Sequence, residues 1–254
     1  MKQLIVTVFL FPIASVAQED IQEWDVTLAR GTTRDISFNT EEGTWMSVDI
    51  SPDEKWIVFD LLAHIYRIPY KGGNARVLTQ NTGVALNYHP RYSPNGKSIA
   101  FISDRAGQNN LWVMDADGSN PRSIFEDLNL RASHPAWTPD GEYIIVSRQS
   151  VLRGPSRGKD SGIYMYHREG GKGIKIGGEE LQSAKWPSIS EDGEHLYFHK
   201  RTPGQAVAWN VSDILQGAIN IERYEFDTGE ITPVTSGAPT RQLRLSSGGA
   251  YAPE

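Results

Sequence analysis

Ser93-Pro94-Asn95-Gly96-Lys97-Ser98-Ile99-Ala100-Phe101-Ile102 is the stretch that decides how this chain folds. Its first five residues suit a tight turn. Proline pre-sets φ, asparagine tolerates the bridge or left-handed region, and glycine enters positive φ without steric cost. The run at 99–102 is too short for a helix and rich in β-branched and aromatic side chains, so it reads as a buried strand.

The same grammar occurs three more times. Ser51-Pro52-Asp53-Glu54-Lys55, Thr138-Pro139-Asp140-Gly141-Glu142 and Ser190-Glu191-Asp192-Gly193-Glu194 each precede an apolar run, at 56–59, 143–146 and 196–198. The four turns are spaced by 42, 45 and 52 residues, and a period of about 40 to 50 built from strands marks propeller blades. A third strand is expected in each unit at 64–68, 110–114, 162–166 and 221–226. A glycine-bearing turn and an outer strand such as 75–79 then follow. Four strands joined by short turns make one blade, so the chain reads as all-β. Ile57, Ile99, Ile144 and Tyr197 should occupy equivalent places in successive blades. Trp56, Trp112, Trp137 and Trp186 are read as recurring wedges between blades rather than as a stacking platform.

Both ends fit this grammar. Residues 34–38 resemble an outer strand without inner strands before it, as a closing strand at about 32–39 would. Pro90, Pro135 and Pro187 each stand three residues before a turn motif, and Pro253 would place the next one just past the last residue. The blades are therefore expected at about 43–80, 84–124, 129–178 and 182–235, with another starting at 240–254 and cut off. Residues 201–220 have no counterpart in the first three units and contain a short helix candidate capped by Ser212. Residues 149–159 lengthen a loop in the third.

Residues 1–17 have the form of a secretory signal peptide: Lys2, an apolar run at 4–16, then Ser15-Val16-Ala17 before a polar start. A membrane anchor needs roughly 20 apolar residues, more than this run supplies. The propeller domain would occupy 18–254 of an exported protein, with no membrane span left after cleavage. Across 254 residues the net charge is −6 and 22% of residues are charged. No basic cluster offsets this balance, which argues against a nucleic-acid partner. There is no cysteine, which removes disulfides, thiolate metal sites and cysteine nucleophiles together.

No catalytic, cofactor-binding or metal-binding residue is assigned in this chain. Gly154-Pro155-Ser156-Arg157-Gly158 matches G-x-S-x-G but leads into a strand, not the helix that a nucleophile elbow needs. His195 and His199 lie four apart on a strand, where the rise separates them by about 13 Å and one zinc cannot bridge them. Asp115, Asp117 and Glu126 hint at a calcium loop, but Gly118 stands at the fourth position rather than the sixth, and a hairpin turn accounts for the segment. Ser103, Asp104, Arg105 and Asp160 fall in loops that propellers turn toward the central channel. Arg105 is read as a blade-to-blade brace paired with a carboxylate.

Residues 93–122 resemble the blades of the TolB-like propeller family, with SPDG-type, WD-like repeats. Similar blades occur in the propellers of dipeptidyl and prolyl peptidases. Residues 43–79 more narrowly resemble the amino-terminal propeller of exported amidohydrolases. In that group a six-bladed propeller precedes a metal-dependent hydrolase barrel. The resemblance covers about residues 24–254 and departs from the pattern at Glu54, in place of glycine, and at Glu191, in place of proline. It implies four of six blades in view and a non-catalytic gating or protein-binding role. Zinc or another divalent metal would belong only to the barrel, since H-x-H occurs nowhere here. The partner implied is a C-terminal catalytic domain. A stand-alone periplasmic scaffold binding envelope proteins, and the gating propeller of a serine peptidase, are the alternatives.

Overall fold

The computed structural model describes residues 25–34, 38–80, 82–152, 160–201 and 219–235. They form sixteen strands in four antiparallel sheets of four, each in simple up-and-down order. The first sheet holds β1 (Val48–Ile50), β2 (Trp56–Leu61), β3 (His64–Pro69) and β4 (Arg76–Val77). The second holds β5 (Asn87–Tyr92), β6 (Ser98–Ser103), β7 (Asn110–Asp115) and β8 (Arg122–Ser123). The third holds β9 (Leu130–Trp137), β10 (Tyr143–Ser150), β11 (Gly162–His167) and β12 (Ile174–Ile176). The fourth holds β13 (Lys185–Ile189), β14 (His195–Arg201), β15 (Ile219–Glu225) and β16 (Ile231–Pro233).

The expected second and third strands are present, with β10 and β14 running four and three residues past the expected ends, whereas the outer strands are only two or three residues long. Gln149 and Ser150, expected in a loop, extend β10. Residues 32–34 and 38–39 lie outside any strand. The leader at 1–17, residues 35–37 of the expected closing strand, the helix candidate after Ser212 and the segment at 240–254 fall outside the described residues.

The turn motif holds itself together through its hydroxyl as well as its proline and glycine. Ser93 Oγ donates to Asn95 Oδ1 at 2.8 Å and accepts the Ser98 N–H at 3.0 Å, while the Gly96 N–H reaches the Ser93 carbonyl. Ser51, Thr138 and Ser190 do the same with Asp53, Asp140 and Asp192. These bonds hold the three carboxyls below their usual range. Asp53 is drawn to about 2, chiefly by the Ser51 hydroxyl. The motifs of successive sheets also touch. A Cβ on Gly96, Gly141 or Gly193 would lie 3.4, 3.6 and 3.7 Å from Pro52, Pro94 and Pro139 of the preceding turn. Those are ordinary contacts, so it is the positive φ, 68° to 79°, that calls for glycine. Glu54 takes the same left-handed place at φ 54°, at a cost of about 1–2 kcal/mol.

Strand alternation divides the second and third sheets between two neighbours each. Ile99 and Phe101 face back and pack with Val58, Ile65 and Leu78 of the first sheet. Ala100 and Ile102, one residue out of phase, face forward onto Ile144, Val146 and Tyr164 of the third. Ile145 and Ile163 then meet Leu196 and Phe198 of the fourth. Ile57, Ile99 and Ile144 do sit at equivalent places, but the fourth member of that set is Leu196. Tyr197 lies one residue further along β14 and points the other way, because His195 occupies the place held by Trp56, Ser98 and Tyr143.

Candidate functional site

The first strands of successive sheets lie side by side, and those of the second, third and fourth carry the same distortion. Pairing skips a register at 89–90 in β5, 134–135 in β9 and 186–187 in β13. A proline has no N–H to give the ladder, so it is accommodated in a β-bulge. The residue before it takes a left-handed backbone: φ is 55° at His89, 54° at His134 and 51° at Trp186. Such conformations cost about 1–3 kcal/mol each in non-glycine residues, and they persist only where the surroundings fix them.

The surroundings here are specific acceptors. Asp60, at the inner end of β2, receives the Ser47 N–H on Oδ1 at 2.8 Å and the His89 N–H on Oδ2 at 2.7 Å, joining the first two sheets. Burial raises its pKa, partly countered by those two bonds. Asp49 repeats the device by accepting the Tyr92 N–H at 2.8 Å. Trp137 Nε1 donates to the Arg91 carbonyl at 3.1 Å, joining the second and third.

The bulges bring their rings into one ladder. His89 stacks on His134 with centroids 4.4 Å apart, His134 meets Trp186 at 4.6 Å, and Trp186 meets His199 of β14 at 5.1 Å. Tyr88 closes one end, edge-on to His89 at 4.8 Å. The His134 N–H approaches His89 Nδ1 at 3.4 Å, which makes that nitrogen an acceptor and places any proton of a neutral ring on Nε2. His134 Nδ1 and both ring nitrogens of His199 are buried without a partner. Burial drives His134 down to about 2, with neighbouring positive groups adding to it, and drives His199 to about 4. At neutral pH both rings are uncharged. The row offers lone pairs and ring faces, suited to accepting hydrogen bonds and stacking rather than to proton transfer.

Acid should expose this arrangement. Both histidines have folded pKa values below their unfolded value of about 6.5, so their stabilisation is complete above that pH and is lost as pH falls, down to about 4 for His199 and about 2 for His134. We expect the unfolding free energy obtained from urea melts to drop between pH 6.5 and 4.5, by on the order of 2 kcal/mol for each of the two histidines. The drop should flatten in His199→Phe, and an unchanged slope in that variant would show that the ring is not neutral when folded.

The sequence candidates fare differently. Trp56, Trp112 and Trp137 are part of the packing between sheets, whereas Trp186 belongs to the ring ladder. The four stand at different places in the repeat, so they are not one recurring wedge. His195 lies by the turn near Asp192 and Glu225, at 3.9 and 3.8 Å, while His199 is buried beside Trp186, so the two share no partner. Asp192, Glu194 and His195 are the one group of three acidic or imidazole ligands brought together among the described residues. They do not fit a catalytic metal, because Asp192 Oδ1 is already taken by the Ser190 hydroxyl and the Glu194 N–H in an exposed turn. The Asp115 and Asp117 carboxylates likewise hold their own hairpin through Ser119 and Asn120. Arg105 braces its own sheet instead of a neighbour's carboxylate: Nη2 donates to Asn87 Oδ1 at 2.7 Å and Nε to Ser103 Oγ at 3.1 Å. Asp160 contributes its backbone carbonyl, which accepts from Arg148. Gly154 to Gly158 fall outside the described residues.

Comparison with known proteins agrees with this architecture. The Tol-Pal system protein TolB of Wolinella succinogenes is 24% identical over 217 residues, which is 83% of this chain and 46% of that protein. An uncharacterized peptidase of Bacillus subtilis, YuxL, is 44% identical over 59 residues, 23% of this chain and 9% of the relative. The crystal structure of TolB from Acinetobacter baumannii superposes with a TM-score of 0.56 at 21% identity, over 79% of this chain and 45% of that one. The chain thus spans less than half the length of these proteins. The model of the TolB beta propeller domain matches residues 27–211. With most of its length inside that match and four repeated sheets behind it, the chain belongs to the TolB beta propeller domain family.

Proposed function

We propose that this chain is the non-catalytic propeller of an exported, metal-dependent amidohydrolase-like protein, and that one of its rims holds or gates the catalytic partner. The observation that carries a binding role is the apolar character of that rim. Leu62, Val84, Leu86 and Leu128 stand exposed there, on turns and links bonded into one surface. Ala63 accepts from Asn87, Leu86 exchanges bonds with Asp104, and Ala132 reaches Asn109. Clustered exposed apolar side chains of this kind favour a partner surface. The amidohydrolase assignment draws on the resemblance of residues 43–79. The metal would sit on the partner, since the described residues offer it no fitting site.

The long match to TolB favours a second reading, a stand-alone scaffold for envelope proteins. Among the described residues no helix is long and apolar enough to cross a membrane.

The test is amide hydrolysis by the full-length gene product. Turnover should require a divalent metal, and Leu62→Asp with Leu128→Asp should lower kcat/KM by about five- to tenfold, or roughly 1 kcal/mol, at an unchanged thermal midpoint. Inhibition by a serine-directed reagent would instead assign the protein to the peptidases. A gene product without turnover that retains envelope proteins would establish the scaffold.

A further inference from the structure

We propose that the crevice between the first and second sheets binds a small organic carboxylate through Arg105. The crevice has a volume of about 350 Å³ and is walled by Val77, Leu78 and Thr82 on one side and by Arg105, Met114 and Pro121 on the other.

Arg105 is built into place. Its guanidinium lies over the Trp112 ring at 4.6 Å and beside Phe101 at 5.3 Å. Nε and Nη2 are held by Ser103 and Asn87, both fully buried. Nη1 makes no hydrogen bond, and among the described residues no carboxylate lies within ion-pair distance of the group. A guanidinium fixed in a planar pose and partly stripped of water, with donors left over, is what a carboxylate accepts most readily. Burial already presses on its charge, which an incoming anion would relieve.

The neighbouring sheets hold a cation at the same place in the repeat. Trp112, Tyr164 and Glu222 pair across their strands with Phe101, Val146 and Phe198, which are equivalent places in the repeat. Each has a cation against it. Arg148 lies over Tyr164 at 3.2 Å and donates from Nε to the Asp160 carbonyl and from Nη1 to the Tyr166 hydroxyl. Lys200 pairs with Glu222 at 3.1 Å. Of the three, Arg105 is the one that lines this crevice.

The walls select the ligand. Val77, Leu78, Met114 and Pro121 suit a short apolar tail. Arg76 and Asp117 also border the crevice with opposite charges, which leaves one net positive charge with Arg105 and matches a singly charged anion. A free carboxylic acid and the C-terminus of a peptide share this chemistry.

Titration of the full chain, followed by calorimetry and by amide NMR shifts, decides the matter. N-acetyl-leucine should bind in about the millimolar range, and N-acetyl-leucinamide, lacking the charge, should not. Arg105→Gln should weaken the acid by at least about tenfold. Val77→Trp, which fills the crevice and leaves Arg105 in place, should abolish binding as well. Equal affinity for N-acetyl-leucine and an acetylated tripeptide ending in leucine upholds the site for free acids, and tighter tripeptide binding upholds it for peptide ends. Equal binding of acid and amide, tighter binding of inorganic phosphate, or undiminished affinity in Arg105→Gln would overturn the proposal. If Arg105→Gln does not fold, retention of acid binding by Val77→Trp overturns it alone.

Discussion

Replacing Phe101 with alanine is expected to cost about 3–5 kcal/mol of folding stability, the range for a fully buried phenylalanine whose cavity cannot collapse. Phe101 is fully buried between the first two sheets, against Val58, Ile65 and Leu78. Phe59 provides the internal control. It occupies the same place one repeat earlier, but it is only half-buried and touches Tyr66 of its own sheet at 5.5 Å between centroids. Phe59→Ala should therefore cost about 1 kcal/mol or less in this chain, since little apolar area returns to water. Urea unfolding of the two variants measures the difference. Similar losses would mean that the first sheet's back face is covered as thoroughly as the second's, contrary to the packing described here.

The second large effect is expected at Asp60. Removing its carboxylate in Asp60→Ala leaves the Ser47 and His89 N–H groups without acceptors at a buried junction. Each orphaned donor costs about 1–3 kcal/mol, so a total of about 2–6 kcal/mol is expected. Asp60→Asn keeps one acceptor oxygen and should recover roughly half of that. The change has a signature besides stability, because the His89 backbone is held at φ 55° by this bond. Histidine ring resonances of His89 and His134 should shift in Asp60→Ala. If both stay in place, the carboxylate is not what fixes the bulge.

The turns and the strand behind each turn were readable because their causes lie within ten residues of one another. Ser93, Asn95 and Gly96 bond among themselves, and their residue types announce it. The proline rhythm at Pro90, Pro135 and Pro187 was also visible, and a ring precedes each of them: His89, His134 and Trp186. That coincidence was the available sign of the ladder. It was missed because tryptophans were grouped by kind, although Trp137 and Trp186 stand at different distances from their turn motifs. The Tyr197 error has a similar origin. Leu196, Tyr197 and Phe198 are all apolar, so hydrophobicity alone does not fix which of two faces each one takes. Arg105 was expected to meet a charge across the blade boundary. Its true partners, Asn87 and Ser103, are neutral, and no charge pattern could have named them.

The amino-acid order by itself determined the number of repeats in view, the turn chemistry and the apolar run of the second strand in each repeat, because these arise from dihedral preferences and residue types within one short segment. Sheet-against-sheet packing decided the rest. It stacked four rings from three sheets, gave Asp60 two backbone donors more than forty residues apart, and left Arg105 facing a crevice. Each of those depends on groups tens of residues apart meeting within a few ångströms, a distance set by how whole faces bury their apolar side chains.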